Sequence, residues 1–62
     1  MNQRDLIINA EQRLGVGPVE LARRLDTPYA TLRNWKSGSS PMPGAAKVAL
    51  AFLVADKPQL RA

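Results

Sequence analysis

Asp26 and Thr27 are all that separates one apolar stripe from the next in the middle of this chain, and so short a link constrains everything around it. Upstream, Pro18, Leu21, Ala22 and Leu25 recur at the i, i+3, i+4, i+7 spacing of a helix with one buried face. Downstream, Pro28, Leu32 and Trp35 form a second stripe, while Tyr29, Ala30, Arg33, Asn34 and Ser37 line the opposite side. Thr27 is suited to cap the second of these helices through its hydroxyl, and Pro28 to open it where no amide donor is needed. The two helices must therefore cross steeply instead of lying side by side. Such a pair cannot bury both stripes alone, so the flanking segments must complete the core.

The flanks supply that cover. Residues 3–14 read as a helix with Ile7, Ala10 and Leu14 in line and Leu6 beside them, leaving Arg4, Asn9, Glu11 and Arg13 outside. Gly15 is its stop, with Val16 placed for the hydrophobic contact that accompanies such ends. This helix is a lid over the core, with Gln3 or Arg4 against a phosphate as the functional alternative. Gly17 and Pro18 open the next helix, Glu20 sits in its first turn, and it ends near Leu25. Its Arg23 and Arg24 are either solvated or near a phosphate backbone. Trp35, on the inner stripe, is a core residue and not a stacking platform.

After Gly38 comes Ser39, Ser40, Pro41, Met42, Pro43 and Gly44, a loop whose prolines cannot continue a helix. Residues 45–55 are apolar nearly all the way round, interrupted only by Lys47, and run to roughly half of the ~20 residues a membrane span needs. Val48, Ala49 and Phe52 are expected to complete the core. Leu50, Leu53 and Val54 are then left for a second copy of the chain, together with the tail DKPQLRA; the alternative is that Leu50 and Leu53 pack on the first helix. The expected fold is all-α: one domain over residues 1–62, a compact bundle of four to five short helices with the last shared between core and dimer interface.

Composition excludes more than it adds. A chain of 62 residues has too small an interior for an ordinary substrate cavity. Nine Lys and Arg against five Asp and Glu give a formal charge of +4, which favours a polyanionic partner. With no Cys and no His, disulfides, thiolate metal sites, Cys nucleophiles and His acid–base chemistry all drop out. Asp5, Glu11, Glu20, Asp26 and Asp56 show no spacing suited to a metal or to paired-carboxylate hydrolysis, so neither enzyme, cofactor nor metal is expected. The first residues, MNQRDLIINAEQR, lack the apolar core of a signal peptide, and a cytoplasmic location is expected.

Across residues 13–38 the run RLGVGPVELARRLDTPYATLRNWKSG resembles, without a gap, the lambda-repressor-like or Cro-type helix-turn-helix of phage and bacterial transcription regulators. The resemblance rests on Leu14, Gly15, Val16, Leu21, Ala22, Leu25, Thr31, Leu32, Trp35 and Gly38. Pro18 stands where the family commonly has Gln, and Asp26 where it usually has Gly at the end of the helix.

The resemblance implies a reader of double-stranded DNA, and the homodimer expected from the C-terminal helix then implies an inverted repeat, with two recognition helices entering successive major grooves about 34 Å apart. Tyr29, Ala30, Arg33 and Asn34 are then the base-contact candidates, since an arginine spans the acceptors of a guanine edge and an amide pairs with adenine. Thr31, Lys36, Ser37, Ser39 and Ser40 are the candidates for the sugar-phosphate backbone. The expected activity is repression by covering a promoter. The competing expectation is an antitoxin or docking module that presents its apolar C-terminal helix to a protein partner. RNA is disfavoured, because no exposed aromatic pair offers a platform for unstacked bases.

Overall fold

The computed structural model describes residues 2–55, and four helices follow one another in it: α1 Gln3–Leu14, α2 Pro18–Arg24, α3 Tyr29–Ser37 and α4 Gly44–Ala55. There is no strand among the described residues, and the class is all-α as expected. The tail DKPQLRA, expected at a dimer interface, lies outside the described residues. No helix among them is long and apolar enough to cross a membrane.

Each helix boundary has a local cause. At the start of α1, the Asn2 side chain accepts from the Asp5 backbone N–H at 2.8 Å, and Asp5 itself sits in the first turn. At its end Gly15 takes the left-handed conformation (φ 68°), so that the Val16 amide reaches back to the Glu11 carbonyl at 3.0 Å. The same closure recurs after α3, where Gly38 has φ 88° and the Ser39 amide donates to the Asn34 carbonyl at 2.9 Å.

The corner between α2 and α3 differs in detail from expectation. Thr27 does not cap α3; its hydroxyl donates backwards to the Leu25 carbonyl at 3.0 Å. Pro28, in extended conformation (φ −60°, ψ 142°), is itself the capping residue, and its carbonyl accepts from the amides of Thr31 and Leu32. The reason is the closure of α2: the Thr27 amide donates to the Ala22 carbonyl at 2.9 Å and that of Asp26 to the Arg23 carbonyl at 3.0 Å, which turns Thr27 towards α2.

This closure forces Asp26 to φ 54°, the only positive φ outside glycine among the described residues. A left-handed L-residue costs about 1–2 kcal/mol, less for Asp than for most. An acidic residue just past the C-terminus of α2 is also unfavourable against the negative end of the helix dipole. Asp26→Gly is accordingly expected to stabilise the fold by about 0.5–1 kcal/mol, the extra entropy of the unfolded glycine offsetting part of the gain. A thermal melt should show a rise of a few degrees; an unchanged or lower midpoint would mean that the corner is not strained.

Ile7, Ala10, Leu21, Ala22, Leu32, Trp35, Met42 and Leu50 form the core, with Leu6, Leu14, Val16, Leu25, Ala46, Leu53 and Val54 packed around it. Helix α1 is the hub, lying against each of the other three, whereas α4 approaches only α1. The split expected for α4 is reversed. Leu50 is 3% exposed and belongs to the core, with Leu53 and Val54 packed beside it, while Val48 (58% exposed) and Phe52 (69%) face outwards, as does Ala49. Ala46, Leu50, Leu53 and Val54 recur at i, i+4, i+7, i+8, as good a stripe as the one expected. A helix apolar on all sides carries no periodic signal that selects a face, so the incoming loop decides it. Buried Met42 anchors that loop in the core.

Candidate nucleic-acid interface

Helix α3 joins two surfaces of opposite character. Leu32 and Trp35 are buried, while Tyr29, Ala30, Arg33 and Ser37 are exposed and Thr31 and Asn34 half-buried along its flanks. Tyr29, Ala30, Arg33 and Asn34 share one side because 29, 30, 33 and 34 follow the i, i+1, i+4, i+5 spacing of a helical face. The ring at Tyr29 and the methyl at Ala30 lie at the start of the helix, where no side chain caps the first amides.

The second tier of residues is less available than expected. Lys36 is tied to Glu11 of α1, its Nζ lying 2.9 and 3.0 Å from the two carboxylate oxygens, with the Glu11 side chain only 13% exposed. The ammonium thus ties α3 to α1, and with both carboxylate oxygens engaged it has one donor left of three for the backbone role expected of it. Ser37 and Ser39 bond to each other (Oγ to Oγ, 2.9 Å), and Ser37 also donates to the Asn34 carbonyl at 3.1 Å; both hydroxyls stay exposed. Ser40 is half-buried, and its carbonyl takes a hydrogen bond from inside the fold.

That bond comes from Gln3, for which contact with a phosphate was the functional alternative. Its Nε2 donates to the carbonyls of Trp35 (2.8 Å) and Ser40 (2.7 Å), and its Oε1 accepts from the Met42 amide at 3.0 Å. The amide is thus committed to closing the end of α3 and its loop onto α1, each bond being worth on the order of 1 kcal/mol. No local pattern announces this, since the partners lie 32 to 39 residues away.

Charge is distributed unevenly as a result. Arg23 and Arg24, both exposed, share Glu20 at 3.8 and 3.2 Å. Among the described residues Arg4, Arg13, Arg33 and Lys47 have no carboxylate within ion-pair distance. Arg4 and Arg33, from different helices, line one open depression with Lys36 and Ser37. No three His, Cys, Asp or Glu side chains come together among the described residues as a metal ion would need. No family model, curated protein or solved structure matches the chain.

Proposed function

We propose that the chain is a sequence-specific double-stranded DNA-binding regulator of the Cro type, in which α2 and α3 form the helix-turn-helix and α3 enters the major groove. The observation that carries the reading is the division of α3: Leu32 and Trp35 root it in the core while Tyr29, Ala30, Arg33 and Asn34 stand on its accessible side. The fixed inner face makes the outer one a rigid reading edge. Arg33 pairs with a guanine edge, Asn34 with an adenine edge, and Ala30 and the Tyr29 ring meet thymine methyls. Thr31, Ser37 and Ser39 hold the sugar-phosphate backbone. The mechanism is occupancy of a bacterial or phage promoter, its own included, by a cytoplasmic repressor without catalysis.

The functional unit in this reading is a homodimer on an inverted repeat. With Leu50 spent on the core, the contact surface is the other side of α4, where Val48, Ala51 and Phe52 are exposed. Two such stripes, each alternating large and small side chains and free of charge, interdigitate across a two-fold axis. The same exposed Val48 and Phe52 favour the second reading, a docking module for another protein. Salt separates the two: duplex binding falls steeply as salt rises, and an apolar protein contact is nearly indifferent.

Selection of binding sites from random duplexes tests the first reading. Wild type should recover an inverted repeat, and Arg33→Ala should remain folded and lose about 1–3 kcal/mol of discrimination at one position of each half-site. An unchanged preference removes Arg33 from the reading set. Failure of the wild type to bind any duplex in dilute buffer overturns the reading as a whole.

A further inference from the structure

The depression lined by Arg4, Arg33, Lys36 and Ser37 holds three cationic side chains, and no carboxylate lines it. Glu11 is committed to Lys36. Asp5, next to Arg4 in sequence, makes no ion pair among the described residues. Arg4 is also in the first turn of α1, where a cation meets the positive end of the helix dipole and gains nothing from it. Lys36 is neutralised by Glu11, but Arg4 and Arg33, drawn together from two helices with no carboxylate in ion-pair distance among the described residues, repel, and an anion between them removes that repulsion.

We propose that this depression seats one phosphodiester of the DNA backbone, held chiefly by Arg4, with the remaining donor of Lys36 beside it. The proposal rests on the DNA-binding reading and extends it to α1, a helix to which that reading gives only a supporting role. A guanidinium grips two phosphate oxygens at once, which the tethered ammonium of Lys36 does not. Backbone capture by Arg4 leaves Arg33, which is exposed on α3, free to reach a base edge. The residue sets register and affinity and carries no sequence preference.

The test compares the salt dependence of duplex binding for wild type, Arg4→Ala and Arg13→Ala. Arg13 is exposed and lies nine residues further along α1, about half a turn round the helix, so its removal costs the same charge from a different place. Arg4→Ala should make the plot of log affinity against log salt shallower by about 0.9. Between about 50 and 200 mM salt it then loses roughly three- to fourfold less affinity than wild type, equally on all sequences. Arg13→Ala should keep the wild-type slope.

Equal slopes for wild type and Arg4→Ala, or the same shallowing in both variants, overturn the phosphate seat and leave the DNA reading standing. Should wild type bind no duplex, the DNA reading falls, and titration with inorganic phosphate judges the seat alone. A saturable shift of the Arg4 Nε–H resonance in wild type, absent for Arg13, supports it; no shift overturns it.

Discussion

Trp35→Ala is expected to leave little or no folded protein at room temperature. The indole is 7% exposed and packs among Ile7, Leu21 and Leu32, three side chains that are fully buried. Truncating a core tryptophan costs about 3–5 kcal/mol through lost burial and the cavity left behind. A domain of this size has a total stability of only about 3–9 kcal/mol. Circular dichroism on heating should show the cooperative transition lowered by more than about 12 °C or lost. Because the ring is turned inwards, Trp35→Phe should keep both fold and duplex binding, with a lower midpoint. A folded Trp35→Ala variant that has lost only its affinity for DNA would mean that the ring is a contact residue after all.

Phe52→Glu is expected to have the largest effect on binding without unfolding the monomer. Phe52 is the most exposed large apolar side chain among the described residues, and a carboxylate there costs the core nothing. Across the two-fold axis of the proposed dimer, however, the new charge meets its own copy in an apolar contact. Joining two half-site readers raises affinity by roughly 100- to 10,000-fold over one, so the variant should bind the inverted repeat at least about 100-fold more weakly. Light scattering should find it monomeric. Leu50→Glu makes the contrast, because it buries a charge in the core and should unfold the chain. A Phe52→Glu protein that still dimerises, or still grips the repeat at wild-type strength, would place the interface elsewhere.

The parts of the fold legible in the sequence are those with local causes. Helices α1 to α3 fall within a residue of expectation because Gly15, Pro18 and Gly38 punctuate them and their apolar stripes have a clear period. The corner at Asp26 was legible as a turn, but not the direction of the Thr27 hydroxyl, which depends on whether α2 or α3 claims it. Helix α4 defeats periodicity by being apolar on every side, so its existence was plain and its inward face was not. Among site residues, the exposure of Arg33 follows from the stripe opposite it. The commitments of Lys36 and Gln3 arise only when α1 crosses α3, since Glu11 is 25 residues from Lys36 and no rule of helical spacing reaches that far. The placement of Arg4 beside Arg33 has the same origin.

The strap from Ser39 to Pro43 is short, carries two prolines, and is nailed down at Met42 by both its thioether and its amide. It therefore acts less as a hinge than as a weld between α3, proposed to read the duplex, and α4, proposed to pair with a second copy. Two heads mounted on such stiff arms have no slack with which to follow an altered ruler. One base pair inserted between the half-sites rotates one of them by about a tenth of a turn and shifts it by about 3.4 Å, and the DNA, as the softer partner, would have to twist to make up the difference.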